Sequence, residues 1–394
     1  MKILMLLQKD FPPDIRVEKE AKVLVDQGHR VYLICRHVNG GPKKEVYSGV
    51  RIHRVGRILK NRKLGRVLSY PLFLNPLWII PARRMIKREK IGIIHAHDLP
   101  MVPLALLVRS RRTKVIFDMH ENYPAAMRIW NGRKAGFGAR ILKNPSWAAS
   151  LERIACKLSD RIIVVVPEQK ERLKSLRIDP EKVRIVSNRV DIESFKGLRV
   201  FPDIVNKYRS KYVLLYIGSF AEDRGLEIPI MAMKKLKDAI NNIRLLIVGE
   251  GPVKSDLISL AQKYGVSQEV EFIPWRPFEE IPSFISAAAI CLVPQPKNEA
   301  NDTTIPHKLF QYIALKKPVI VSDAEPLKRL VLSLHAGEVF QSANVASFSD
   351  AVMRIALGRG RYYDVNEAVI AGSISWERDA ESLKMLYRDL LNKP

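Results

Sequence analysis

The chain has 394 residues, 47% hydrophobic and 27% charged, which excludes a disordered or collagen-like protein and supplies apolar material for more than one core. Lys and Arg outnumber Asp and Glu by 66 to 41, and the net charge of +25 favours polyanionic partners: nucleic acid, anionic lipid headgroups or phosphorylated substrates. Cys35, Cys156 and Cys291 are far apart and form no CxxC pair, so they support neither a disulfide framework nor a zinc knuckle and imply a reducing cytosol.

The opening apolar run, Ile3 to Leu7, is shorter than a signal-peptide core of ~7–15 residues. No window has the ~18 apolar residues of a transmembrane helix, because the nearest, Val67 to Ile86, is broken by Pro71, Pro76, Pro81, Arg83 and Arg84. The expectation is a cytoplasmic protein, soluble or peripheral on the inner face of the plasma membrane. Strand patterns fall at Lys2–Gln8, Arg30–Arg36, Val50–Val55, Gly92–Asp98, Lys114–His120, Arg161–Pro167 and Val183–Ser187. Helical patterns run from about Ile15 to Gly28, a stop residue, and over Trp147–Leu158. The rhythm restarts with strands at Tyr212–Phe220, Arg244–Gly249, Val270–Trp275, Ile290–Pro294 and Pro318–Asp323. Helices at Leu226–Ile240, Pro252–Tyr264, Glu280–Ala288 and Pro306–Leu315 separate them.

Strands continuous in Val, Ile and Leu and separated by helices predict an α/β fold with parallel sheets covered on both faces. Two such series predict two Rossmann-like, doubly wound domains facing across a cleft. The expected division is 1–200, 201–374 and a closing helix over 375–394, with the joint in the charged, Pro202-containing stretch Phe195–Tyr212. Ligands of doubly wound sheets bind beyond the carboxyl ends of the strands. That rule selects the loops Lys9–Arg16, Asp98–Pro100, His120–Pro124, Ser219–Gly225, Gly249–Pro252 and Gln295–Pro306.

In the second series, Arg224 follows a strand at a helix start, where it can reach a phosphate. Gly249 and Gly251 make a strand–turn–helix junction that lets a ligand approach the backbone. Asp302, Thr303, Thr304 and Pro306 open a helix whose free N–H groups and positive dipole end suit a diphosphate, with Lys308 one turn in and Gln311 further along the same face. Each feature has a plainer reading: an empty turn, a solvated arginine, hydroxyls that cap a helix. In the first series, His120 ends a strand and leads into Glu121 and Asn122, a context poorly suited to burial. His97 and Asp98 end the preceding strand, at the carboxyl end of the sheet where ligands bind. Arg16 can meet a phosphate or pair with Glu18 or Glu20.

From end to end the chain resembles the GT-B fold retaining glycosyltransferases of family four. The resemblance lies in FPPDIRVEKEAKVLVDQGHRV, HAHD, VIFDMHENYP, IVSNRVDIESF, YIGSFAEDRGLE, LLIVGEGP, PHKLFQYIALKKPVIVSD and SWERDAESLKMLYRDLL, in that order. It implies a nucleotide diphosphate sugar held by the C-terminal domain, an acceptor held by the N-terminal domain, and a last helix that crosses back. By resemblance His120 faces the donor sugar, while Arg224 and Lys308 stabilise the departing diphosphate as catalytic residues. Ser219 stands where the family has an Arg, and Arg224 where it has a Lys. Thr303 and Gln311 stand at the places of the two signature glutamates; Gln311 keeps an acceptor oxygen for the ribose, and Asp302 adjoins the position that lost its charge. The donor set is therefore Ser219, Gly249, Gly251, Asp302, Thr303, Thr304 and Gln311, and the acceptor set Arg16, His97, Asp98 and Glu121. No metal and no cofactor beyond the co-substrate is expected. A GT-B nucleotide-sugar epimerase and a non-catalytic nucleotide- or membrane-binding protein on a degenerate transferase fold stay open as alternatives.

Between Arg51 and Lys90 the bases Arg51, Arg54, Arg57, Lys60, Arg62, Lys63, Arg66, Arg83, Arg84, Lys87, Arg88 and Lys90 face one acid, Glu89, with Tyr70, Phe73 and Trp78 between the two basic blocks. A second cluster sets Trp130, Phe137 and Trp147 among Arg128, Arg133, Lys134, Arg140 and Lys143. Aromatic wedges flanked by cations suit an anionic membrane face and a glycan or lipid-linked acceptor. No nucleic-acid-binding signature is present.

Overall fold

The computed structural model describes residues 1–37, 41–56, 75–130, 144–358 and 367–392. The chain forms two units, Met1–Ser187 with Asp379–Pro394, and Asn188–Arg378. The first break falls ahead of the expected 200/201 because the intervening residues hold to the second unit. The Asn188 amide donates to the Ile305 carbonyl at 2.8 Å, and the Phe195 ring lies 5.8 Å from that of Phe278. At the other end the Trp376 amide donates to Val190 O at 2.9 Å, so the chain leaves the second unit only at Asp379.

Unit 1 is built on an eight-stranded sheet: β1 (Lys2–Leu7), β2 (Arg30–Arg36), β3 (Lys44–Tyr47), β4 (Val50–Val55), β5 (Ile93–His97), β6 (Lys114–Met119), β7 (Arg161–Val164) and β8 (Val183–Ile185), in the order β3-β4-β2-β1-β5-β6-β7-β8. All neighbours are parallel except β3, an edge strand antiparallel to β4. The helices are α1 (Ile15–Asp26), α2 (Pro76–Glu89), α3 (Val102–Val108), α4 (Tyr123–Trp130), α5 (Pro145–Leu158) and α6 (Pro167–Ser175). Asp14 caps α1 by accepting from Val17 N at 3.1 Å, and Gly28, at φ 76°, ends its turn as expected. Helix α2 carries Pro81 inside it, where only the bond to the carbonyl of solvent-exposed Leu77 is forfeited. One face of the sheet packs α2, α3, α5 and α6, burying Leu4, Ile34, Ile94, Ala96, Val115 and Phe117 with Trp78, Leu104, Ala155 and Leu173. Alternation sends His95, His97 and Asp118 to the other face.

Unit 2 holds a six-stranded, wholly parallel sheet: β9 (Tyr212–Ile217), β10 (Ile243–Val248), β11 (Val270–Ile273), β12 (Ile290–Val293), β13 (Val319–Ser322) and β14 (Gly337–Phe340), in the order β11-β10-β9-β12-β13-β14. Its helices are α7 (Ile192–Lys196), α8 (Pro202–Lys207), α9 (Glu227–Ala239), α10 (Lys254–Lys263), α11 (Ile281–Ala287), α12 (His307–Ala314), α13 (Glu325–Ser333), α14 (Val345–Ala356) and α15 (Glu367–Ile374). The last helix, α16 (Trp376–Asn392), spans the second break, and from Asp379 onward it belongs to unit 1.

Candidate functional site

In unit 1, the ends of β5 and β6 and the first turn of α1 bring together the acceptor-side candidates. Arg16 points inward from α1 and is buried. Its guanidinium forks onto Asp118 (Nη2 to Oδ1 2.7 Å, Nε to Oδ2 3.2 Å), lies 3.0 Å from Glu20, and donates to the Val186 carbonyl at 3.0 Å. It is an internal ion-pair residue rather than a surface phosphate ligand, and Glu20, one helical turn on, is the partner that the i, i+4 spacing offered. Burial opposes the charge on Asp118, yet Arg16 and then His120 outweigh it and hold its carboxyl well below the usual range.

His120 is clamped between two carboxylates. One ring nitrogen lies 2.8 Å from Asp118 Oδ2, the other 3.4 Å from Asp98 Oδ2, and its backbone N–H donates to Asp98 Oδ1 at 3.2 Å. Burial works against the imidazolium, but Asp98 and Asp118 prevail and push its pKa up to about 9. The ring is therefore a fixed positive charge at neutral pH, 15% exposed. His97, stacked 4.4 Å from His95, behaves oppositely: burial, reinforced by His95, brings its pKa down to about 3, so it donates to Asp118 at 3.0 Å as a neutral ring. Asp98 itself sits at φ 64°, ψ 160°, a region costly for a side chain-bearing residue. Lys9, Asp14 and Glu121 surround this strand end, and the carboxylates Asp98, Asp14 and Glu121 raise the Lys9 pKa against the effect of burial.

Sequence reasoning offered Glu20 as a partner of Arg16 but passed over His95, Asp118 and Tyr387 as members of this cluster. Tyr387 on α16 meets the ring of His95 at 2.9 Å. The available signal was parity: His95 and His97 are two apart on one strand, and Arg16 and Glu20 are four apart on one helix. Glu20, His95, His97 and Asp118 place ligand-type atoms within 4.8 Å of one another. The Arg16 guanidinium already takes both oxygens of Asp118 and adjoins Glu20, so the cation this cluster is built around is the arginine.

In unit 2, the loops after β9, β10 and β12 and the start of α12 hold the donor-side candidates. Lys308 rests on the Tyr216 ring, its ammonium 3.7 Å from the centroid. It takes no hydrogen bond or ion pair among the described residues, and desolvation first, then Arg224, drives its pKa well below that of an ordinary lysine. Gly218, at φ 144°, leaves room for it: a Cβ there would lie 2.6 Å from the Lys308 nitrogen. Arg224 is half-buried, held by Asp223 (3.0 Å) and by Ser219, whose hydroxyl accepts at 3.4 Å. The Tyr312 hydroxyl accepts from Ile217 N at 3.0 Å, locking the end of β9 to α12.

Four donor candidates have structural roles of their own. The buried Thr303 hydroxyl donates back to the carbonyls of Glu299 (2.9 Å) and Ala300 (3.1 Å) in the preceding turn, so it does not cap α12. Asp302 accepts from Glu325 N at 2.9 Å and so caps α13. Gly249 and Gly251 serve the packing of loop on loop: added Cβ atoms would lie 2.0 Å from Gly218 O and 2.2 Å from Phe220 O. Thr304 precedes α12, which opens at Pro306 with no side-chain cap. Gln311 is buried, and its side-chain amide makes no hydrogen bond among the described residues.

The comparisons agree with this arrangement. Residues 15–194 match the family model described as Glycosyltransferase Family 4, and 200–371 match Glycosyl transferases group 1. An uncharacterized glycosyltransferase of Methanocaldococcus jannaschii is 24% identical over 98% of this chain and 98% of its own. The UDP-Gal:alpha-D-GlcNAc-diphosphoundecaprenol alpha-1,3-galactosyltransferase of Escherichia coli is 22% identical over 86% of this chain and 82% of its own. The solved sucrose-phosphate synthase of Thermosynechococcus elongatus superposes with a TM-score of 0.80 at 17% identity, covering 99% of both chains, a likeness of fold. With two parallel Rossmann-like sheets in the GT-B manner and the two family models spanning nearly the whole chain, the protein belongs to the family-four glycosyltransferases, enzymes of nucleotide-sugar transfer.

Proposed function

We propose that the enzyme transfers a sugar from a nucleotide diphosphate sugar, with retention of configuration, to a hydroxyl of a glycan or lipid-linked acceptor in cell-surface glycan synthesis. The observation that carries the donor half is Lys308. A lysine whose ammonium is stacked on Tyr216 and desolvated near Arg224, with Asp223, already paired to Arg224, as the carboxylate acting on it, is a cation awaiting an anion. A diphosphate supplies that anion, and the uncapped start of α12 adds backbone N–H groups beside it. As the bond to the sugar breaks, charge grows on the leaving diphosphate, and Lys308 and Arg224 stabilise it there. Gln311, from the same helix, offers its amide to the ribose hydroxyls.

Retention follows family behaviour: front-face substitution, in which the leaving phosphate accepts the acceptor's proton. The fixed charge of His120 favours an electrostatic role toward the donor sugar over that of a general base, since both ring nitrogens face carboxylates. The lipid-linked acceptor is supported by the E. coli relative, whose printed substrate is a diphosphoundecaprenol glycan. The membrane reading also draws on the basic charge excess. Lys60, Arg62, Lys63, Arg66, Tyr70 and Phe73 lie outside the described residues, while no helix among the described residues is long and apolar enough to cross a membrane.

A thermal-shift panel of UDP-, GDP-, ADP- and dTDP-sugars identifies the donor, because a ligand raises stability by RT ln(1 + [L]/Kd). Slow donor hydrolysis followed by NMR then reads the anomeric configuration of the released sugar. Retained configuration supports the proposal; inversion overturns it, and an isomerised donor points to an epimerase.

A further inference from the structure

On unit 1, α3 packs between α2 and α5, and their inner residues Ala82, Leu104, Ala105, Ala148 and Ala155 share one core. Their outer surfaces carry a second apolar line. Helix α5 exposes Trp147 (61%), Ile154 (52%) and Leu158 (51%), and α3 adds Leu107 (43%). At about 100° per residue, Trp147, Ile154 and Leu158 fall within about 40° of arc, and exposed Arg153 and Lys157 form the adjoining line. Cations also gather at the C-terminal end of α5: Arg109 donates to Leu158 O at 3.3 Å and Lys182 to Lys157 O at 3.0 Å. Exposed Arg83, Arg84 and Lys87 continue the charge onto α2. The one acid of α5, Glu152, is buried and paired with Arg172 at 2.6 Å, and α3 has none.

We infer that the outer face of α3 and α5 is the surface by which the enzyme docks on an anionic bilayer leaflet, Trp147, Ile154 and Leu158 entering the headgroup boundary while Arg153, Lys157 and Arg109 meet the lipid charge. The inference rests on the membrane reading above and gives it a place in the fold. Charge complementarity selects the occupant. A second copy of the chain would bring like charges together, and a nucleic acid would leave the apolar line in water, whereas an anionic leaflet satisfies both lines. The face also corrects the sequence-based choice of wedges. Trp78 is buried in the core, and Arg54 is held by Glu45 (2.6 Å) and Phe11 O (2.7 Å), so neither is a membrane residue. Trp147, by contrast with Trp78, stands out at the surface.

The test is co-sedimentation of the full chain with phosphatidylcholine vesicles, with and without phosphatidylglycerol. The wild type is expected to bind the anionic vesicles and to dissociate with salt. The R153Q/K157Q variant should partition about 30-fold less, two charges at about 1 kcal/mol each. W147S/I154S/L158S should lose binding at least as far while keeping donor hydrolysis and melting temperature. A K60Q/R62Q/K63Q/R66Q variant separates the two ideas. If it alone releases the protein, the membrane reading stands and the α3–α5 surface is overturned. If the wild type ignores anionic vesicles, both fall. Unchanged binding by the apolar variant overturns the insertion.

Discussion

Asp98 offers a measurement in which two energetic contributions separate. Its backbone, at φ 64° and ψ 160°, lies where a Cβ is costly, by about 1–3 kcal/mol. Its carboxylate accepts from His120 N at 3.2 Å and lies 3.4 Å from the His120 ring. Asp98→Ala and Asp98→Gly both delete the carboxylate, and the lost charge-assisted bond costs each about 1.5–3 kcal/mol. Only glycine also releases the backbone, against an added chain entropy of about 0.5–1 kcal/mol. The difference leaves Asp98→Gly more stable than Asp98→Ala by about 0.5–2 kcal/mol, a few degrees in Tm by about 2–4 °C per kcal/mol for a domain of this size. Thermal melts of the three proteins under one set of conditions give the answer. Asp98→Ala as stable as Asp98→Gly would refute the strain at this strand end. In both variants His120 loses one of its two carboxylates, so its NMR titration should move below the wild-type value.

Other outcomes follow from the same geometry. Lys308→Met and Arg224→Ala should each lower kcat/KM for the donor by about 10²-fold, the scale of one transition-state contact; unchanged turnover in both would remove the diphosphate site. Nucleotide diphosphate should bind more weakly to Lys308→Met, because the anion offsets the desolvation that lowers the pKa of Lys308; calorimetry reads the loss, and equal affinity would remove Lys308 from the site. His120 has its pKa raised to about 9 from an ordinary 6.5, so its stabilisation is whole below about 6.5 and lost as pH rises through 9, up to about 3 kcal/mol; denaturation midpoints against pH should lose this alkaline limb in His120→Ala. Arg16→Met should cost about 3–5 kcal/mol by taking the arginine from between the buried carboxylates of Asp118 and Glu20, and a loss below about 1 kcal/mol in urea melts would contradict the assigned pairing.

Most of the sheet architecture was legible because buried parallel strands advertise themselves as runs of Val, Ile and Leu. The edge strand Lys44–Tyr47 did not, being half exposed and polar, and neither did α2, whose prolines argued for a break. In the site, legibility depended on whether a residue's partner was near in sequence. Arg16 with Glu20 was readable from helix spacing. Arg16 with Asp118, 102 residues away, was not, and that contact decides whether the arginine meets a substrate or the interior. Thr303 reads in sequence as a helix cap or a sugar contact, and the bonds its hydroxyl donates back to the Glu299 and Ala300 carbonyls are legible in neither reading. Gly249 and Gly251 were recognised as special positions, but their reason is the carbonyls of Gly218 and Phe220, brought close by the parallel pairing of β9 with β10.

The two units treat buried charge in opposite ways, and the difference bears on what each contributes to catalysis. In unit 1 the cations near the ends of β5 and β6 are answered: Arg16 by Asp118 and Glu20, His120 by Asp98 and Asp118. This pairing is present without substrate, so the orientation of His120 costs nothing at the moment of reaction. In unit 2 Lys308 is desolvated and stacked with no ion pair of its own among the described residues, a state whose cost is visible in its lowered pKa. In the proposed donor site the phosphates would remove that cost, so part of their binding energy would be relief of a strain built into the free enzyme. Lys308→Met should therefore raise the stability of the free enzyme while weakening nucleotide binding, whereas Arg16→Met should do the reverse, lowering stability with little effect on nucleotide affinity. Melting temperatures measured with and without nucleotide for both variants test that opposition. Parallel losses of stability in the two would show that Lys308 is an ordinary structural residue.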